Sequence, residues 1–199
     1  MSLENIDNDL YLVTHPHPEW FSTVTNLISQ GIRWVQIRDK AASDSIILEQ
    51  AHSIVQFCHR HHIDCHILIN DRVNVAKTLG VGVHLGQGDM SPQQARAILG
   101  PDAKIGWTIH DDVELGVSAF EWIDYVGVGP IFPTTTKLDT RSVLGPERLA
   151  QVIQDLHLPV VAIGGIQATS IHMVRQANPW KIAMSSALMQ AEDLTGFYS

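Results

Sequence analysis

The strongest constraint on this chain is a repetition of element type: eight short apolar or β-branched runs, with amphipathic or polar stretches between them. Alternation of this kind is the pattern of βα units around a parallel sheet, whose strands are covered on both faces and are therefore apolar throughout. The runs predict strands at Leu10–Thr14, Trp34–Arg38, His66–Asn70, Gly82–Leu85, Lys104–Thr108, Tyr125–Gly129, Val160–Ile163 and Lys181–Met184. An open doubly wound sheet would alternate in the same way, but no GxGxxG follows the first run and eight units suit closure. The sequence is therefore expected to form an α/β single domain, a (β/α)8 or TIM barrel spanning residues 1–199, at the short limit for that architecture. Ser91-Pro92-Gln93-Gln94 marks one helix start, with Ser91 as cap, Pro92 at the first helical position and Gln94 closing a capping box.

Composition narrows the function. A formal charge of −8 argues against a nucleic-acid partner, so an anionic substrate must be held by a few placed cations. No apolar run approaches the length that spans a bilayer, and residues 1–8 lack the basic start and apolar stretch of a signal peptide, so cytoplasmic residence is expected. Cys58 and Cys65 sit in no metal-ligand spacing and are expected to be free thiols. The histidine groups His15 with His17, and His59 with His61 and His62, fall in an early loop and at a helix end, which argues against a metal site there.

In a barrel the chemistry sits where strands run out into βα loops, which makes the polar residues at strand C-terminal ends the candidates. After the second run come Gln36, Arg38 and Lys40; the two cations either hold a diphosphate or are a solvated strand end. Asp71 and Asp89 follow the third and fourth runs. Two carboxylates on one rim either hold magnesium together with substrate phosphates or cap the helices that follow. The stretch from Gly129 to Lys137 carries Thr134, Thr135 and Thr136 and ends in a cation; it suits ligand contact, or else a proline-stiffened turn. Gly164-Gly165 after the seventh run and Ser185-Ser186 after the eighth occupy the positions where many barrels bind phosphate, although a Gly-Gly pair can also be a plain tight turn. His84 and His110 are either pocket walls or buried, hydrogen-bonded side chains.

Taken together, VQIRDK, LINDRVNVAKTLGVGVHLGQGDM, DYVGVGPIFPTTTK and VVAIGGI, in this order from about Leu10 to Glu192, resemble the thiamine-phosphate synthase family. The resemblance implies a phosphate-binding barrel that joins a hydroxymethylpyrimidine diphosphate to a thiazole phosphate with magnesium, releasing diphosphate. It implies Asp71 and Asp89 as magnesium ligands, and Arg38, Lys40, Asn70 and Lys137 around the diphosphate, with Arg38, Lys40 and Lys137 carrying the catalytic charge. Gln36, His84 and Thr108 would lie near the pyrimidine, Thr134 and Thr136 on the thiazole side, and Gly165, Ser185 and Ser186 at its phosphate. The chain departs from the family pattern at Gly88, at Thr108 where serine is commoner, at 178–181 and at Ser185. A short tail after Leu194 leaves the closing layer thin or covered by a partner subunit, which allows a homo-oligomer.

Three rivals remain. A thiazole tautomerase of the same family would carry a catalytic histidine where this chain has Pro130. A non-catalytic regulator would bind thiazole phosphate without magnesium. An unrelated phosphate-binding barrel isomerase would share only the fold.

Overall fold

A computed structural model describes residues 8–109, 118–134 and 142–198. Its eight strands are β1 (Leu10–Val13), β2 (Trp34–Ile37), β3 (His66–Asn70), β4 (Gly82–Leu85), β5 (Ile105–Ile109), β6 (Tyr125–Val128), β7 (Val160–Ile163) and β8 (Lys181–Met184). All pair in parallel in chain order, and β8 returns to β1 through Leu10 opposite Ile182, closing the barrel. Each expected strand is present, with ends shifted by at most one residue. β5, for example, begins at Ile105, whose backbone N–H donates to Asp124 Oδ2 at 2.8 Å. The helices are α1 (Trp20–Ser29), α2 (Asp44–Arg60), α3 (Val73–Leu79), α4 (Pro92–Leu99), α5 (Gly145–Asp155), α6 (Ile171–Gln176) and α7 (Ser186–Met189). The capping box at Ser91 and Gln94 forms as expected, with Pro92 in the first turn of α4.

Side chains alternate along every strand. Leu10, Leu12, Val35, Ile37, Ile67 and Ile69 point outward into the shell under the helices. Tyr11, Val13, Trp34, Leu68, Tyr125, Val161 and Ala183 point inward and form a separate interior core. The lower interior is aromatic: Trp34 packs on Tyr11 and Tyr125 at 5.8 Å each, and on Trp180 at 4.8 Å. Lys181 closes this end, its ammonium donating to Asn8 O at 2.9 Å and lying 5.6 Å from the Trp180 ring. The departure at 178–181 therefore lies at the N-terminal end of β8, where it plugs the barrel on the side opposite the strand ends that carry the candidate site.

The closing layer over β8 and β1 is completed by the chain's own tail. Helix α7 has only four residues, but Leu194 and Phe197 beyond it are 3% and 5% exposed. Two contacts hold the tail: Leu194 N–H donates to Gln30 Oε1 at 3.0 Å, and the Arg175 guanidinium donates to Phe197 O at 2.6 Å while its fork grips Asp9.

Gly106 faces inward where Tyr125 and His84 meet, and a Cβ there would lie 2.6 Å from His84 Nδ1 and closer still to the Tyr125 ring. Gly106→Ala is expected to cost about 1–3 kcal/mol by overpacking a rigid wall. Denaturant unfolding checks this, and an unchanged midpoint would contradict the packing described.

Candidate functional site

The polar residues at the C-terminal strand ends converge on one cavity of about 460 Å³. Its floor is the uppermost inward layer of the barrel, where Gln36, His84 and Thr108 are polar among Val13, Ile163 and Ala183. These three are nearly buried and joined through two tyrosines that the cavity does not reach. Gln36 Nε2 donates to Tyr11 Oη at 3.1 Å, Tyr11 Oη meets Tyr125 Oη at 2.9 Å, Tyr125 Oη meets His84 Nδ1 at 2.9 Å, and His84 Nε2 meets Thr108 Oγ1 at 2.7 Å. Thr108 thus uses its hydroxyl, the group it shares with serine.

One wall comes from the loop after β2. Arg38 is anchored by its backbone N–H, which donates to Thr14 Oγ1 at 3.0 Å, and among the described residues its guanidinium makes no hydrogen bond or ion pair. Asp39 folds the loop, its carboxylate accepting from Ala41 and Ala42 N–H. Arg72 staples the same loop from below, donating to Asp39 O at 3.2 Å and Ala42 O at 2.5 Å and pairing with Asp44 at 2.8 Å. This scaffolding presents Lys40 to the cavity, 3.6 Å from Asp71 Oδ2. With Lys40 64% exposed the ion pair adds little stability; what it contributes is a placed cation.

The two carboxylates face one another. Asp71 sits in the left-handed region at φ 64°, its backbone N–H donating to His84 O at 2.9 Å. Asp89 Oδ2 accepts from Gly86 N–H at 2.6 Å. Neither caps a helix, because the position before α3 is Arg72 without a side-chain bond and α4 is capped by Ser91. Burial, and then the hydrogen bond and charge of Asp89, push the Asp71 carboxyl up to about 6 against the pull of Lys40 and Asn70. Among the described residues no cluster of three or more His, Cys, Asp or Glu side chains is placed to hold a metal. Two oxygen donors opposed to each other nevertheless suit a hard cation that takes its remaining ligands from substrate phosphates and water.

The opposite wall is built from close backbone approaches. Gly164 and Gly165 have φ of 102° and 69°, and a Cβ on Gly164 would lie 2.7 Å from Pro130 Cα. The pair is a tight turn, as one reading had it, and it also lines the cavity together with Ser185, Ser186 and Thr134. At four residues α7 has little macrodipole, so an anion there depends on individual N–H and O–H groups. Every expected site residue among the described ones therefore faces this single cavity. Thr136, Lys137 and His110 lie outside the described residues. Sequence reasoning missed His15, whose Nδ1 is 3.1 Å from Ser185 Oγ; burial and the charges of His17 and Arg38 lower its pKa. It also missed Thr14, Tyr11 and Tyr125. Only the position of Thr14 at the end of β1 could have signalled a role.

Fold and site together define a (β/α)8-barrel enzyme whose mouth sets two cations against a carboxylate pair. The chain belongs to the thiamine monophosphate synthase family, whose sequence model matches residues 10–188. Thiamine-phosphate synthase from Azorhizobium caulinodans is 41% identical over 194 residues, covering 95% of this chain and 91% of that protein. The Nostoc punctiforme thiamine-phosphate synthase is 37% identical over 94% of this chain, which spans only 52% of that longer relative. Among solved structures, the thiamine phosphate pyrophosphorylase from Pyrococcus furiosus superposes with a TM-score of 0.79 at 32% identity, over 94% of this chain and 91% of that one.

The raised Asp71 pKa has a sign that stability can test. The folded protein holds this proton more tightly than the unfolded chain, so the stabilisation is complete below about pH 4 and is lost as the pH rises through about 6. Asp71→Asn is expected to stabilise the metal-free protein at pH 7 by about 1 kcal/mol after solvent screening, or about 2–4 °C, and by nothing at pH 4. Thermal melts at the two pH values check this, and equal gains at both would sink it.

Proposed function

We propose that this chain joins a 4-amino-5-hydroxymethyl-2-methylpyrimidine diphosphate to a thiazole phosphate, with magnesium at Asp71 and Asp89, releasing diphosphate. The observation that carries the reading is the convergence of Arg38, Lys40, Asn70 and the carboxylate pair on one side of the same cavity that Thr134, Gly165, Ser185 and Ser186 line on the other. A bound magnesium would supply charge to the departing diphosphate oxygens.

The protein's own groups then have separable roles. Arg38 offers a planar fork and Lys40 a mobile point charge to phosphate oxygens, both strengthened as negative charge grows on the leaving group. The bond between the methylene carbon and diphosphate oxygen breaks, the aminopyrimidine sharing the positive charge, and the thiazole nitrogen's electron pair forms the new carbon–nitrogen bond. No enzymic nucleophile is required. Positioning of the two substrates and exclusion of water by the apolar floor complete the task. Thr134 and Thr136 are assigned to the thiazole, Lys137 to the diphosphate, and Gly165, Ser185 and Ser186 to the thiazole's phosphate.

Pro130, where the tautomerase relative would carry its histidine, supports the synthase reading over that alternative. We place the reaction in the cytoplasm on the free thiols of Cys58 and Cys65. Among the described residues no helix is long and apolar enough to cross a membrane. The expected partners are the two small molecules and no nucleic acid, and a homo-oligomer is compatible with the fold.

Purified protein with both substrates is expected to form thiamine phosphate only when magnesium is present, and Asp71→Ala and Lys137→Ala are each expected to lose about 100-fold or more. Thiazole phosphate binding without magnesium and without product would instead identify a non-catalytic regulator.

A further inference from the structure

Where β8 closes on β1, two side chains meet that the reaction as described does not use together. His15, in the loop after β1, brings Nδ1 to 3.1 Å from Oγ of Ser185, which follows β8. The ring is firmly placed. Thr14 before it is fully buried, its N–H donating to Gln36 O at 2.9 Å and its hydroxyl accepting from Arg38 N–H at 3.0 Å. Pro16 after it disfavours a helical backbone at His15. Ser185 precedes α7, where a serine hydroxyl ordinarily caps the helix, yet its side chain makes no capping bond. Among the described residues the hydroxyl is bonded to His15, and Ser185 lines the cavity beside Gly165 and Ser186. His15 itself is not part of the cavity lining.

With the cavity empty the bond runs in either direction, because a hydroxyl and a neutral imidazole nitrogen each donate or accept. An anion removes the choice. An unprotonated phosphate oxygen only accepts, so a Ser185 O–H turned toward it leaves the oxygen lone pairs for His15, and Nδ1 then has to carry a proton. A hydroxyl that accepts such a bond is in turn a stronger donor. Burial, and then the charges of His17 on the same loop and Arg38 from the loop after β2, lower the His15 pKa, which keeps the ring neutral above pH 7. We propose that His15 is a positioning residue for the phosphate of the thiazole substrate: by donating from Nδ1 to Ser185 Oγ it directs the Ser185 hydroxyl hydrogen at the anion. The proposal rests on the assignment of that phosphate to Ser185 above. A plain tie between two loops would hold the seam without regard to an anion.

Two measurements on the whole chain separate these roles, with circular dichroism verifying the fold of each variant. In ¹⁵N-labelled protein at about pH 8, the His15 ring signals are assigned against His15→Asn, and saturation with inorganic phosphate is followed at the Ser186 amide. With phosphate bound, wild type is expected to carry a proton on Nδ1, and Ser185→Ala, lacking the acceptor, to revert to the usual preference for Nε2. Bare Nδ1 with phosphate bound, the same tautomer in Ser185→Ala, or no phosphate binding at Ser186 overturns the proposal. This arm uses no substrate and stands apart from the synthase reading. The second measurement is the KM for thiazole phosphate at saturating pyrimidine diphosphate and magnesium. His15→Ala and Ser185→Ala are each expected to raise it about fivefold to tenfold, with the double variant no worse than either alone. His15→Asn, whose amide nitrogen replaces Nδ1 as donor, is expected to recover most of the loss. The KM for the pyrimidine diphosphate reports a merely structural tie, which would raise both constants together. Losses that multiply in the double variant, or an equal rise for both substrates, overturn the positioning role. Wild type that binds phosphate in the first arm and forms no thiamine phosphate counts against the substrate reading, and the tautomer alone then decides the pair.

Discussion

A closed barrel of four- and five-residue strands has to fill its own interior, and the way this one does so fixes everything above. The lower half is packed with Trp34, Tyr11, Tyr125 and the plugging Trp180, which together leave no room for side chains at some facing positions. Gly106 answers that crowding, since a Cβ there would lie 2.1 Å from Tyr125 Cζ. Large and small residues alternate from strand to strand so that a layer closes. One layer higher the large apolar residues run out, and the volume they would have taken becomes the cavity.

The charge pattern follows from that geometry. A chain of net charge −8 would repel a diphosphate at long range, so attraction has to be local. In the proposed reading Arg38 and Lys40 would supply it, from a loop held by backbone and side-chain bonds, so that little freedom would be lost when an anion arrives. Burial first, and then the hydrogen bond and charge of the facing Asp89, make Asp71 hold its proton to about 6. A cation held between the two carboxylates, as proposed, would relieve that repulsion.

Strand positions were legible because a strand covered on both sides must be apolar over its whole length, and the polar residues that break those runs mark the C-terminal ends. Cavity-lining residues on those ends, from Gln36 and Arg38 to Ser185, were legible for the same reason. Pairings that topology alone creates were not. Tyr11 and Tyr125 look like ordinary apolar members of buried strands, and their hydroxyls meet across a separation of 114 residues. His15 and Ser185 are 170 residues apart and follow strands β1 and β8, which are neighbours only because the barrel closes. The tail is too short for a full closing α-helix, yet Leu194 and the single 3-10 turn Thr195–Phe197 bury enough apolar surface to cover the seam.

Floor and rim divide the work along a physical line. The floor's polar groups sit on strands with their hydrogen bonds buried, where the low local dielectric strengthens each bond and makes a missing partner costly. Such a layer cannot move far. The rim's charges sit on loops, exposed enough for Lys40 to reorient and near enough for its ammonium to reach Asp71. Exposed charges keep that freedom, whereas polar groups whose bonds are buried are held in one geometry. Packing both in one cavity requires that the rigid layer be held from below, and the aromatic plug around Trp34 and Trp180 provides that support.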